Sequence, residues 1–326
     1  MMKQSLWRPE IVFTVQPTFF AAPVGLFAAW LAGAYSWLHV QDFEVDAAFE
    51  LGFLRANGRL HSLALRWETR ITRRFSRVSS ISNRMIERMG DRRRGERAPV
   101  LFPNWGDIEA IRPALPQADN RLREELGLQK KTILLYSGNM GAKQGLGMLL
   151  PLVKALAEDD RVHFIFCGEG PYRPQMERMV ADCDNVTMLP LQPVARLGEL
   201  LNAADIHLLP QLRGAADLVM PSKLCDMLAS GRPVLAIAGT GTQLAQVVEG
   251  CGLAVPDGDP AALVAAAKQL IYNPEIRQRM GFRAREYAVK YLGKEQVLRR
   301  FEREVLAMLR PAVIEPEAQL ARTYRG

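Results

Sequence analysis

From residue 131 onward one hydropathic pattern repeats along the chain. Short runs of almost purely apolar residues (Lys131 to Ser137, Val162 to Cys167, Val186 to Leu189, Ile206 to Leu209, Pro233 to Ala238) alternate with stretches whose apolar positions recur at helical spacing. Continuous apolar runs bounded by turn residues are strands buried on both faces. Their alternation with amphipathic helices predicts a parallel, doubly wound α/β sheet. Turns rich in glycine or proline follow the runs: Gly138 to Gly145, Gly168 to Pro171, Pro190 to Pro193, and the loop that ends at Met220-Pro221. In such sheets ligands bind outside the carboxyl ends of the strands, where these turns fall.

The first third carries the same pattern in shorter form. Ile11 to Val15 reads as a strand, Pro23 to Gly33 as a helix and Tyr35 to Val40 as the next strand. The uncharged stretch over 11–40 exceeds the ~20 residues a membrane span needs. However, Gln16-Pro17-Thr18, Pro23, Gly25 and Gly33 interrupt it, and its ends are strand-like, which places it in a sheet. A short apolar run, Pro99 to Phe102, precedes Asn104-Trp105. At the far end Tyr291, Leu292, Val297, Phe301 and Val305 lie on one stripe and predict a single helix from Tyr287 to Leu309, followed by a tail over 311–326.

Chemistry concentrates in the turns. A helix is expected from Ser222-Lys223 to Gly231, with Pro221 at its start and Gly231 just past its end. Free N–H groups at such a tip, the Ser222 hydroxyl and the Lys223 ammonium attract an anion. Asp226, one turn on, is placed to accept from a hydroxyl. Phosphate at the tip and sugar hydroxyl one turn in describe a nucleoside-diphosphate site, although an ordinary αβ unit can also begin with Pro-Ser-Lys. The turn Gly138-Asn139-Met140-Gly141-Ala142-Lys143 lets backbone N–H groups approach phosphate, with Lys143 adding charge. It is neither a dinucleotide fingerprint nor a P-loop. In the first third, His39, Gln41, Asp42, Glu44 and Asp46 follow the strand Tyr35 to Val40 and form an acidic loop expected to face a cleft.

Residues 130 to about 290 resemble the donor domain of GT-B glycosyltransferases of the large retaining family 4. The matching segments include Tyr136-Ser-Gly-Asn-Met-Gly-Ala-Lys143, Phe166-Cys-Gly-Glu-Gly-Pro171, Leu189-Pro-Leu-Gln-Pro193, Met220-Pro-Ser-Lys223 and Leu228-Ala-Ser-Gly-Arg-Pro-Val234. Trp37-Leu-His-Val-Gln-Asp-Phe-Glu-Val-Asp46 and Val100-Leu-Phe-Pro-Asn-Trp105 look most like the colanic-acid fucosyltransferases and related exopolysaccharide enzymes. The resemblance implies two Rossmann-like domains facing across a cleft. These would be an acceptor-side domain over 1–118, a donor domain over 119–290 and a helix over 291–310 crossing back to the first domain.

By the same resemblance Lys143 and the Ser222-Lys223 tip would hold the diphosphate and Asp226 the ribose, with Gly138, Asn139, Gly141, Gly168 and Pro221 also among the donor-binding residues. The Leu191 backbone would lie near the base, and the sugar would sit towards Asp217 and Met220. His39 or Asp42 would orient or deprotonate the acceptor hydroxyl. Lys143 and Lys223 would stabilise the departing diphosphate without metal or cofactor. Two positions depart from the family pattern. Leu218 stands where a Glu-x7-Glu pair has its first carboxylate, and Asn139 stands near a usual arginine. The opening strands of the first domain are not in this sequence, so that domain is expected to be incomplete.

Charge adds a partner. Thirteen arginines and only four acidic residues fall between Arg55 and Arg97, interleaved with Leu60, Leu63, Leu65, Trp67, Ile71 and Phe75. Over 55–97 this predicts a basic amphipathic helix suited to an anionic membrane surface. Such a surface would bring a cytoplasmic, peripheral enzyme to a lipid-linked glycan. A solvated helix face has the same composition, and nucleic acid is a rival without an accompanying motif. Four scattered cysteines and four dispersed histidines outline neither a disulfide framework nor a metal site. The expected reaction is transfer from a GDP- or UDP-sugar to a lipid-linked glycan of the exopolysaccharide type. The alternatives are a non-catalytic nucleotide-binding remnant and a nucleotide-sugar 2-epimerase of the same architecture.

Overall fold

The structure is a computed structural model that describes residues 8–16, 21–43, 58–92, 98–114, 119–141, 144–212 and 220–309. Its first unit runs β1 (Ile11–Gln16), α1 (Ala21–Ala32), β2 (Tyr35–Val40), α2 (Gly58–Thr72), β3 (Arg77–Ser80), α3 (Asn83–Arg92) and β4 (Val100–Leu101). The four strands form a parallel sheet in the order β1-β2-β3-β4. Trp37, Leu38 and Met85 are wholly buried in its core.

The second unit begins with α4 (Arg121–Glu125) and β5 (Thr132–Ser137). It continues through α5 (Leu150–Ala155), β6 (Val162–Cys167), α6 (Arg173–Met179), β7 (Val186–Leu189), α7 (Leu197–Ala203) and β8 (Ile206–Pro210). Then come α8 (Lys223–Ala229), β9 (Val234–Ile237), α9 (Gln243–Val248), β10 (Gly252–Val255), α10 (Pro260–Tyr272) and α11 (Pro274–Tyr287). Its six parallel strands lie in the order β10-β9-β8-β5-β6-β7. Alternate residues of β5 serve opposite faces, as a strand's period of two requires. Ile133 and Leu135 pack with α7, α8 and α9, whereas Leu134 and Tyr136 pack with α5 and α10. The chain lays β6 and β7 on one side of β5 and then returns to lay β8 on the other. Between β5 and β8 the direction of winding reverses, and a crevice opens there at the carboxyl ends.

The basic stretch over 55–97 is not one helix. Two helices flank β3, because Val78, Ser79 and Ser80 are buried between β2 and β4 and the sheet's ladder outcompetes local helical preference. The expected single helix from Tyr287 to Leu309 is also broken. A π-helical turn, Ala288–Leu292, ends at Gly293, whose φ of −67° and ψ of 132° are extended, and α12 (Lys294–Leu309) starts afresh. The reason is tertiary: Gly293 bridges to Gly106, Leu292 O accepts from Gly106 N–H, and a Cβ on Gly293 would meet Ile108 at 2.8 Å.

After this break α12 packs on the first sheet. Phe301 stacks on Phe102 (ring centroids 4.2 Å apart) and touches Trp37 and Phe13, while Arg77 pairs with Glu304 at 2.8 Å. Arg285 donates to the carbonyls of Ile108, Ile111 and Ala229, tying the linker to the second unit.

Candidate active site

The glycine turns after β5 and β6 touch backbone to backbone. Gly138 N–H donates to Cys167 O, Gly168 N–H to Leu189 O, and Met140 N–H to Glu169 O. Gly138 (φ 127°) and Gly168 (φ 149°) sit in a region that side chains avoid, and a Cβ on Gly168 would lie 1.9 Å from Gly138 O. Only glycine allows the two turns to meet. Arg173 fastens the assembly from behind, donating to Gly168 O at 2.6 Å and Leu189 O at 2.7 Å.

The switch point places the Lys223 side chain directly over this turn. A Cβ on Gly138 would lie 3.4 Å from Lys223 Cδ and 3.8 Å from Nζ, and Nζ stands 3.9 Å from the centre of the Tyr136 ring. Tyr136 is itself held by its hydroxyl, which donates to Asn139 O at 2.6 Å. The Lys223 nitrogen is buried and has no hydrogen-bond partner; burial pulls its ammonium down to about 7. Among the described residues no carboxylate pairs with this lysine, and the ring face beneath it replaces only part of its hydration.

Other expected residues take less uniform positions. Helix α8 (Lys223–Ala229) starts and stops where Pro221 and Gly231 bracket it and is about two turns long. Ser222 is exposed and makes no side-chain cap. Asp226 turns towards the linker: a Cβ on Gly106 would meet its Oδ1 at 3.1 Å. Burial raises its pKa, and the Asp107 backbone N–H opposes that rise. Met220 packs against the core clusters of both units, so this residue touches the first unit as well as the second. Leu191 is exposed, and the Asn139 side chain lies between Gly141 and Gly170. Lys143, Asp217, Glu44 and Asp46 lie outside the described residues.

His39 is not on the loop. It belongs to β2, is 3% exposed, and lies between the rings of Phe13 and Phe102, with Nδ1 2.9 Å from Ser79 Oγ. Burial lowers it to about 4, so the ring is neutral at neutral pH. The Ser79 hydroxyl also accepts from Trp37 Nε1. Sequence reasoning missed Ser79, and it missed the platform role of Tyr136, whose one signal is an aromatic residue next to the glycine turn. A cavity of about 390 Å³ between the two units adjoins Pro221 and is also lined by Asn83, Asn104, Tyr291 and Arg300. Among the described residues, no three His, Cys, Asp or Glu side chains gather as a metal site.

Two parallel α/β units face each other across a cleft. A helix returns from the second to the first, and a buried cation sits at the switch point. These features define a two-domain glycosyltransferase of the GT-B fold. The Anabaena protein HepE, solved with UDP and glucose, superposes with a TM-score of 0.73 at 17% identity, over 94% of this chain and 80% of its own. Sucrose-phosphate synthase from Thermosynechococcus elongatus gives 0.73 at 20% identity, over 94% and 76%. In sequence, the putative colanic acid biosynthesis glycosyl transferase WcaI of Escherichia coli K12 is 35% identical over 313 residues, covering 94% of this chain and 76% of WcaI. The family model "Glycosyl transferases group 1" matches residues 118–287, and "Glycosyl transferase 4-like domain" matches residues 3–105. The chain belongs to the group 1 glycosyl transferases.

Proposed function

We propose that the protein transfers a sugar, with retention of configuration, from a GDP- or UDP-sugar to a lipid-linked glycan in exopolysaccharide assembly. WcaI's name ties it to colanic acid biosynthesis, and this chain would serve a comparable polymer. The observation that carries the reading is the Lys223 ammonium, buried without a hydrogen-bond partner above the Gly138 turn. A diphosphate laid on that turn would supply the missing counter-charge. As the sugar–phosphate bond breaks, negative charge grows on the leaving diphosphate, and a cation fixed beside it lowers the barrier without a metal. Lys143 would add a second positive charge and Asp226 would take a ribose hydroxyl. Asp217 and Met220 would border the sugar.

Asp42 follows β2 at its carboxyl end and would orient the acceptor hydroxyl. His39, neutral beneath it, would support that end of the strand or accept a proton if the acceptor reaches its ring. The enzyme would work peripherally at the cytoplasmic face of the plasma membrane, with its basic segment towards anionic lipid. Calorimetric titration of the chain with GDP and with UDP, with chelator present, tests the donor reading. Micromolar binding of one of them supports it. A folded protein that binds neither would leave the remnant reading in its place.

A further inference from the structure

The reaction draws on the carboxyl ends of the strands, yet an outer face of the first unit has a chemistry of its own. Helix α1 carries no charged residue over its twelve positions. Val24, Phe27, Trp30 and Leu31 are exposed by 53%, 52%, 74% and 52%, and their spacing of three and four puts them on one stripe. The rings of Phe27 and Trp30 stack at 5.9 Å. Helix α2 lies against α1 and adds Leu63 and Trp67, one turn apart, exposed by 63% and 49%. Around them stand the exposed arginines Arg66, Arg70, Arg73 and Arg74, the last two just past the helix end. The acid in α2 over 62–72, Glu68, is buried.

A soluble surface shows single apolar residues; a stripe continued across two neighbouring helices marks a binding face. We propose that α1 and α2 together form a docking surface for an anionic lipid bilayer. Phe27, Trp30, Leu63 and Trp67 would enter the boundary between headgroups and acyl chains, and the four arginines would meet lipid phosphates. This deepens the membrane contact in the proposed function and rests on that reading. It assigns the apolar anchor to α1, an element outside the basic stretch.

The charge pattern selects this occupant. A second copy of the same face would set arginines against arginines. A nucleic acid would satisfy the arginines but leave the uncharged stripe of α1 without a counterpart. A bilayer interface matches both, because tryptophan and arginine favour the headgroup level while aliphatic side chains favour the layer beneath. Twelve residues of helix are about 18 Å long, short of the ~30 Å hydrocarbon core, so α1 would lie in the interface plane. Among the described residues no helix is long and apolar enough to cross a membrane.

The test is flotation of the full chain with vesicles of equal parts phosphatidylglycerol and phosphatidylcholine, beside vesicles of phosphatidylcholine alone. Three proteins are compared: wild type, Phe27→Ser/Trp30→Ser, and Arg66→Glu/Arg70→Glu. We expect wild type to bind the anionic vesicles and each double variant to lose at least about tenfold in partitioning, the first with every arginine intact. Melting temperature and GDP or UDP affinity should not move in either variant, because all four side chains are exposed and none belongs to the glycine turns or to α8. Retained nucleotide binding without vesicle binding would sink the docking surface and spare the donor site. Vesicle binding without nucleotide binding would do the reverse. A Phe27→Ser/Trp30→Ser variant that floats like wild type overturns the assignment. So does a wild-type dimer in sedimentation that this variant dissolves, or tighter binding to single-stranded RNA than to the anionic vesicles.

Discussion

Replacing Lys223 with methionine keeps the bulk of the side chain and removes its charge, which isolates what the ammonium does. Its nitrogen is buried, makes no hydrogen bond and lies 3.9 Å from the Tyr136 ring centre. A charge-assisted contact to a phosphate oxygen is worth ~1.5–3 kcal/mol, so Lys223→Met should weaken GDP or UDP binding by roughly 10- to 150-fold at pH about 6.5. The pH dependence is the sharper signature. Burial holds the ligand-free ammonium near 7. A bound diphosphate favours the charged form, so above about pH 7 binding must take up a proton, and affinity should fall by up to about tenfold per pH unit towards about 8.5.

Calorimetry in two buffers of different ionisation heat reads that proton directly, and the Met variant should show none. Stability runs the other way. The folded value lies below the ordinary ~10.4, so the unfolded chain binds more protons between about 7 and about 10, and the ligand-free protein gains stability as pH rises through that window. The Met variant should therefore be the more stable protein at pH 7 and below, with the advantage fading by about pH 10. Wild-type affinity that is flat in pH with no proton uptake, or a variant that keeps both affinity and uptake, would refute the reasoning.

Three further outcomes are expected. Gly168→Ala forces a Cβ to within 1.9 Å of Gly138 O at a φ of 149°, and should cost at least about 2 kcal/mol in urea unfolding and abolish nucleotide binding; wild-type stability would show that the turns do not meet as described. Arg173→Ala removes the donor shared by Gly168 O and Leu189 O, so KM for the donor should rise several-fold with kcat little changed; an unchanged KM with a lower kcat would count against a positioning role. Phe301→Ala strips the α12 contact from Phe102, Trp37 and Phe13 and should cost about 2–3 kcal/mol, with the first unit melting earlier than the second in calorimetry; unchanged melting would mean that the aromatic contact does not brace the two units.

Periodicity made the second sheet legible. Val162 to Cys167 reads as a buried strand because five of its six residues are apolar, and β6 is buried throughout, His163 included, with its Nε2 2.8 Å from Thr187 Oγ1. Burial on both faces leaves the same signature in any parallel sheet, so the α/β class follows from hydropathy alone. Proline and glycine bracketed α8, since both fix the backbone locally. What periodicity could not supply was competition between distant segments. Nothing in Arg77-Val78-Ser79-Ser80 announces a strand inside an arginine-rich stretch; it is one because Trp37 to Val40 and Val100-Leu101 offer it ladders on both sides.

The site divides along the same line. Glycine turns, a lysine at a helix start and an acidic loop after a strand were visible as residue types at known places in a pattern. Their meaning rested on neighbours that only folding assembled. The reversal of winding between β5 and β8 carries Lys223 across the Gly138 turn and onto Tyr136, 87 positions earlier in the chain, and that burial leaves its charge unsatisfied. His39 follows the opposite course: grouped with the acidic loop for its polar side chain, it is held inside the strand between the rings of Phe13 and Phe102 and against the Ser79 hydroxyl. Local sequence sets which conformations a segment can adopt cheaply. Desolvation, which depends on everything packed around a group, sets which of its charges remain available for chemistry.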